Sequence, residues 1–210
     1  MMSYQNTKKA ITLVELIIAI SLFGLIIAGV MAFDSASREF FQSSERATDV
    51  LNELTFVLEH IQKNVMLAIG DADDSGMTLT NPRVGDYTLV IRQDINRVNG
   101  VINNTPEDYS DDRFVTYNID SGQNTISVAE LFDGAAYVPE VLTRKLFLDP
   151  NSTYSTVDFT LKDDLELQII ALALLFDISK PEDPRTNPRV EVKDQSFFPL
   201  SQSGHPALVP

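Results

Sequence analysis

The 210-residue chain contains no cysteine and only two histidines, His60 and His205. The lack of cysteine excludes a disulfide framework and a thiolate metal site. Two histidines far apart in the sequence leave little material for histidine-based catalysis or a zinc site. The sequence also lacks a glycine-rich phosphate-binding loop and a convincing set of nucleophile, base and orienting acid. These absences argue against an enzyme, and we expect no cofactor.

Basic residues are also scarce. The chain has 16 lysines and arginines against 30 aspartates and glutamates, which gives a formal net charge of −14 at pH 7. A surface this acidic repels phosphate backbones, so we expect no nucleic-acid partner. The hydrophobic fraction of 44% predicts a folded protein, and the length suits one domain with an appendage, or at most two small domains.

No proline occurs before Pro82, and an apolar segment dominates the start of the chain. Residues 11–33 form a 23-residue stretch in which Glu15 is the only charge. A helix of that length spans about 35 Å, enough to cross a hydrocarbon core of about 30 Å. Lysines before this stretch and an acidic domain after it predict a single membrane pass with the N-terminus in the cytoplasm.

The apolar pattern downstream is that of an amphipathic helix. Residues 34–69 contain neither proline nor glycine, and one stripe recurs at helical spacing: Val50, Leu54, Val57, Leu58, Ile61 and Val65. We therefore expect one helix from residue 11 to Gly70, about 59 residues long, with residues 34–69 as an amphipathic continuation that needs a partner surface.

After Gly76 the apolar residues alternate, which indicates an antiparallel sheet. The clearest runs are residues 87–91, 115–119, 157–161 and 190–192. The composition of residues 165–176 favours a helix, but their place between strand-like runs favours a long buried strand, which we prefer. The predicted class is α+β, a lollipop with one long N-terminal helix whose outer half packs on a β-rich domain of residues 70–210.

The stretch KKAITLVELIIAI, residues 8–20, resembles the processing site of type IV prepilins and type II secretion pseudopilins. The family has a short basic leader, a small residue before the cut, and a glutamate at the fifth position of the apolar helix. The matching residues here are Lys8, Lys9, Ala10, Ile11, Thr12, Leu13 and Glu15. Two positions differ from the usual pattern, since Ala10 replaces a glycine and Ile11 replaces a frequent phenylalanine.

The resemblance implies that prepilin peptidase removes residues 1–10 by cutting between Ala10 and Ile11, and that the new amine of Ile11 is methylated. Glu15 would pair with that amine in its own chain or in a neighbouring subunit when the helices pack. The chain would then be a non-enzymatic subunit, anchored in the bacterial inner membrane with its C-terminal domain in the periplasm. An assembly platform in that membrane would move it into a periplasmic or surface filament.

The order of elements is similar to that of J/W-type minor pseudopilins, which lie at or near the tip of a type II secretion pseudopilus or a type IV pilus. Two other functions stay open: a signal-anchored periplasmic enzyme or ligand-binding domain, and an adhesive or DNA-uptake minor pilin. A glutamate that snorkels near a helix end, with no role in assembly, is an alternative for Glu15.

Some further residues carry weaker signals. Gly24 and Gly29 are either a point where the helix loosens in a filament or small residues that let helices approach closely. Asp71, Asp73 and Asp74 are weak calcium candidates, because an EF-hand would need a glutamate at the twelfth position, where Pro82 stands. A solvated acidic turn is the preferred interpretation. His60 lies beside the apolar stripe and is expected to border the core.

Overall fold

The computed structural model describes residues 12–70, 75–95, 112–132, 135–136, 138–149, 156–162, 166–181 and 186–200. The chain divides into two compact units, residues 1–44 and residues 45–210. One helix, α1 (Leu13–Met66), and nine strands form within the described ranges. The strands are β1 (Met77–Arg83), β2 (Asp86–Gln93), β3 (Arg113–Asp120), β4 (Thr125–Phe132), β5 (Ala135–Ala136), β6 (Glu140–Thr143), β7 (Val157–Lys162), β8 (Glu166–Leu175) and β9 (Arg189–Phe197). The predicted α+β class, with one long helix and antiparallel sheets, is confirmed.

The strands form two antiparallel sheets in the second unit, residues 45–210, hereafter the β-rich unit. The first has the order β1-β2-β3-β4-β5, and β6 pairs with β4 beside β5. The second has the order β7-β8-β9. Consecutive strands are neighbours from β1 to β5 and from β7 to β9, as expected for hairpin connections. Gly85 in the β1–β2 turn has a φ of 83°, and a Cβ there would lie 3.0 Å from Ser121 Oγ in the β3–β4 turn, so glycine suits both the conformation and the space.

The amphipathic part of α1 supplies the centre of the core. Val50, Val57, Ile61 and Val65 are fully buried, and Leu54 is nearly so. They belong to one cluster with the inward-facing residues of both sheets, among them Tyr87, Leu89, Ile91, Val115, Tyr117, Ile119, Val157, Phe159, Leu167, Ile169 and Leu172. The stripe predicted from the sequence therefore packs on the sheets, as expected for a helix with one apolar face.

The helix ends earlier than the sequence analysis predicted. It stops at Met66 instead of Gly70, and the amides of Leu67 and Ala68 bond to carbonyls only three residues back. The Ile69 amide then donates to the carbonyl of Arg92 in β2 at 3.0 Å. A hydrogen bond to the sheet thus replaces the last helical turn. The position of Gly70 in the sequence does not predict this bond.

The ambiguous segment of residues 165–176 is a strand. β8 is the central strand of the second sheet and pairs along its length with β7 and β9. Its burial alternates as far as Ala171 and is continuous from there to Leu175. The strands β1 and β4 were not among the predicted runs. In β4 the signal was present, since Ile126 and Val128 alternate and face the core.

Polar contacts within the second unit join α1 to the β-strand region near the start of the stripe. Arg46 donates to the carbonyl of Thr186 at 2.6 Å, and its guanidinium lies 5.4 Å from the ring centre of Phe176. Seven residues further on, Glu53 forms an ion pair with Lys145 at 2.6 Å and accepts a bond from the Thr143 hydroxyl. These side chains flank Val50, the first buried residue of the stripe.

Replacing a stripe residue should destabilise the second unit strongly. Ile61→Ala removes a fully buried side chain from the middle of the cluster, and we expect it to lower the free energy of unfolding by about 2–5 kcal/mol. Leu51→Ala is the matched control on the same helix, because Leu51 is 51% exposed. Denaturant unfolding in detergent measures both variants, and equal losses would contradict the packing described.

Candidate assembly helix and processing segment

The start of α1 is closed by a reciprocal cap. The Glu15 amide donates to Thr12 Oγ1 at 3.2 Å, while Glu15 Oε2 accepts bonds from the Thr12 amide and hydroxyl, each at 2.9 Å. This is the capping box, in which a threonine and a glutamate three positions later satisfy free amides of the first turn. A carboxylate there also faces the positive end of the helix dipole. Glu15 therefore has a partner within its own chain.

This contact was missed by the sequence analysis, although its signal was available. The spacing Thr-x-x-Glu ahead of an apolar run is a recognised helix-start pattern. Both bonds from Thr12 reach the same oxygen, Oε2. Among the residues that the structure describes, Oε1 of Glu15 accepts no hydrogen bond. The carboxylate is thus held in place by Thr12 through one of its two oxygens.

The other residues of the predicted processing motif divide between two regions. Lys8, Lys9, Ala10 and Ile11 lie outside the described residues. Leu13 is the first residue of α1, and its side chain is exposed. The structure therefore brings Thr12 and Glu15 together and leaves the predicted cleavage site untested.

An uncharged stretch follows the cap. The 18 residues from 16 to 33 carry no ionisable side chain, and as helix they span about 27 Å, close to the thickness of a hydrocarbon core. The Ser21 hydroxyl donates to the carbonyl of Ile17 at 2.9 Å, so this polar group is satisfied inside the helix. No part of the most apolar window is buried in the protein. The helix is long and apolar enough to cross a membrane, and it is unlike a core helix, which would be covered by its own chain.

Charge returns immediately after the uncharged stretch. Asp34 and Arg38 form an exposed ion pair one helical turn apart, with Arg38 Nε 2.9 Å from Asp34 Oδ2. Such a pair contributes little to stability, but it marks the end of the segment that suits hydrocarbon. Phe40 and Phe41 follow, each 70% exposed and in edge-to-face contact at 6.1 Å.

The two glycines of the apolar segment have no packing role within the chain. α1 is continuous through Gly24 and Gly29, and a Cβ added at either would meet nothing within 4 Å. Neither glycine is needed for the fold of this chain. Both earlier interpretations, a loosening point and a close approach of another helix, stay predictions.

The acidic residues singled out as weak metal candidates, Asp71, Asp73 and Asp74, lie outside the described residues. In the described part of the chain, no three or more histidine, aspartate or glutamate side chains are grouped so that they could hold a metal ion. Asp112, which comes shortly before β3, is buried and forms an ion pair with Arg92.

A comparison with protein families bears on the same segment. Residues 5–31 match a family described as the prokaryotic N-terminal methylation motif. The match supports a type IV pilin-like protein. The motif and the exposed apolar helix fit a membrane-anchored pilin, and the motif suggests processing by prepilin peptidase and assembly with other pilins. No curated protein and no solved structure matches the chain. The β-rich unit lies outside the matched residues.

The capping box can be tested at Thr12. Thr12→Val removes the hydroxyl that accepts from the Glu15 amide, and an N-cap of this kind contributes about 1 kcal/mol. We expect faster amide exchange in the first turn of α1, measured on the full chain in detergent. Thr12→Ser keeps the hydroxyl and should behave as the parent chain. A valine variant with unchanged exchange would show that Thr12 is not the cap.

Proposed function

We propose that this chain is a minor pseudopilin or minor pilin, a structural subunit that joins a filament through its N-terminal helix. The observation that carries the proposal is an apolar helix segment that is exposed in the described part of the chain, capped by Thr12 and Glu15, and matched by the N-terminal methylation motif. Because apolar surface without a protein partner is stable only in lipid or against another helix, this segment suits both membrane storage and assembly.

In this proposal, prepilin peptidase cuts between Ala10 and Ile11 on the cytoplasmic side, and the new amine of Ile11 is methylated. The domains would then be a leader of residues 1–10, a transmembrane and assembly helix of residues 11–33, its amphipathic continuation to residue 69, and a periplasmic β-rich domain of residues 70–210. Lys8 and Lys9 support a cytoplasmic N-terminus, since basic residues favour that side.

Glu15 would guide the register of assembly. Cleavage creates a cation at Ile11, one residue before the cap, and Glu15 has one carboxylate oxygen that Thr12 does not use. An amine from a neighbouring subunit can bind this oxygen without breaking the cap. A carboxylate left without such a partner in an apolar setting is costly, so correctly stacked helices are favoured over shifted ones.

Membership of the J/W type, with a position at the filament tip or in its initiation, is the finer part of the proposal. It is supported by the order of elements after the helix and by the absence of cysteine. The subunit would contact other pilins or pseudopilins through α1 and use the inner-membrane assembly platform. A separate ATPase would supply the energy.

The processing step can be tested by mass. Intact mass and N-terminal sequencing of the protein from cells with prepilin peptidase should give a mature chain that begins at Ile11 with a methylated amine. Cells without the peptidase should yield the full chain. A chain that keeps residues 1–10 when the peptidase is active would favour a signal-anchored periplasmic enzyme or ligand-binding domain instead.

The role of Glu15 can be separated from processing. Glu15→Gln keeps the size of the side chain and removes its charge, so we expect normal cleavage and at least a tenfold loss of incorporation into filaments. Asp34→Asn is the matched control, because it removes a carboxylate at the other end of the uncharged stretch. Incorporation is measured as the fraction of chain that sediments with sheared filaments. Unchanged incorporation of Glu15→Gln would remove the proposed register role.

A further inference from the structure

A row of polar side chains crosses the otherwise apolar contact between α1 and the first sheet. His60 Nδ1 on α1 lies 2.8 Å from the hydroxyl of Tyr117 on β3, and Asn64 Nδ2, one turn further along α1, donates to the same hydroxyl at 2.6 Å. Gln93 of β2 donates to the carbonyl and the side-chain oxygen of Asn64 at 2.9 and 3.1 Å. Tyr117, Asn64 and Gln93 are buried, and His60 is half-buried at the edge of the group.

The row continues across the sheet to an ion pair. Gln93 Oε1 accepts a bond from Arg113 of β3 at 3.1 Å, and Arg113 pairs with Glu130 of β4. Three strands are thus connected to α1 by side chains whose bonds depend on one another. Buried networks of this kind respond strongly when one member changes its charge.

His60 is the member whose charge changes near neutral pH. Burial raises the pKa of Tyr117 far above its ordinary value, so its hydroxyl keeps its proton. That hydroxyl has two acceptors within reach, His60 Nδ1 at 2.8 Å and the His60 carbonyl at 3.0 Å. Nδ1 of a neutral imidazole can accept a hydrogen bond from the hydroxyl. A protonated imidazole must donate from Nδ1, so the hydroxyl turns to the carbonyl and its oxygen faces two donors, Nδ1 and the Asn64 amide, at 2.8 and 2.6 Å.

We propose that His60 and Tyr117 form an acid-sensitive latch between α1 and the first sheet, closed while His60 is neutral and loosened when it is protonated. The imidazole packs beside two aromatic rings, with its ring centre 6.1 Å from that of Phe56 and 5.7 Å from that of Tyr117, and the residue is partly buried. A charge placed there loses part of its hydration, which disfavours the protonated form. This inference concerns the β-rich unit and is independent of the proposed assembly function.

The charged groups that face His60 act in both directions. Glu130 of β4 and Glu140 of β6 raise its pKa, while Lys63 of α1 and Arg113 of β3 lower it. Burial is the largest influence, and it places the pKa of His60 below the ordinary value of 6.5. The attraction of Glu130 is weakened because its carboxylate already pairs with Arg113.

The sign of the pH effect follows from this pKa. Well above pH 6.5 the imidazole is neutral in both the folded and the unfolded chain, so the folded state keeps its full stability. As the pH falls below 6.5, the unfolded chain binds a proton before the folded chain does, and stability decreases until the pH passes the lowered pKa of the folded state. The latch therefore opens on acidification.

Titration of the full chain in detergent, with isotope-labelled histidine, tests the latch directly. The chain has only two histidines, so the variant His205→Gln identifies the His60 signal, and the chain unfolded in urea gives the reference midpoint. We expect the His60 midpoint of the folded chain to lie below that reference. Tyr117→Phe should shift the His60 midpoint, whereas Tyr87→Phe should leave it in place, because the buried Tyr87 hydroxyl bonds to Asp158 instead. A His60 midpoint in the folded chain equal to or above the unfolded reference would overturn the proposal.

Amide exchange measures whether the helix responds. After correction for the intrinsic pH dependence of exchange, residues 57–66 should exchange several-fold faster at pH 5 than at pH 7 in the parent chain. His60→Gln stays neutral and can still accept from Tyr117, so its corrected rates should not change with pH. Equal pH dependence in both chains would overturn the latch. If His60→Gln does not fold, the histidine titration of the parent chain and the two tyrosine variants decides the question.

Discussion

Burial of a single apolar stripe on α1 is the contact on which the β-rich unit depends. The side chains of Val50, Val57, Ile61 and Val65 belong to the same cluster as the inner faces of both sheets. Each fully buried side chain of this size contributes about 1.5–3 kcal/mol relative to exposure. Without the helix, the inward-facing residues of a six-stranded and a three-stranded sheet would lose their common partner. The helix is thus part of the domain's core as well as its N-terminal extension.

Upstream, the same helix has the opposite property. Residues 16–33 carry no charge, and in the described part of the chain none of the most apolar window is buried. Exposed apolar surface of this extent is stable only in lipid or against other helices. Glu15 begins this segment, and the structure explains how a carboxylate can stand there before any partner arrives. Thr12 donates to one of its oxygens and accepts a bond from the Glu15 amide in return, so the cap itself uses only one carboxylate oxygen.

Much of this architecture was accessible from the sequence because the signals are local. The spacing of the stripe, the lack of proline and glycine between residues 30 and 69, and the alternation around Leu89 and Tyr117 each reflect the geometry of one element. The capping box has an equally local signal, the Thr-x-x-Glu spacing of Thr12 and Glu15, although it was not among the predictions. His60 was expected only to border the core. Its bond to Tyr117, 57 residues away, has no local signature.

The sequence by itself determined the fold class, the apolar segment and the face of α1 that packs on the sheets, because periodicity and composition act within a few residues. Only the tertiary structure decided that α1 ends at Met66, because the Ile69 amide donates to the carbonyl of Arg92 in β2. It also decided that β8 is a strand, because β7 and β9 satisfy its backbone on both edges. These outcomes depend on hydrogen-bond partners that the chain brings together only after folding.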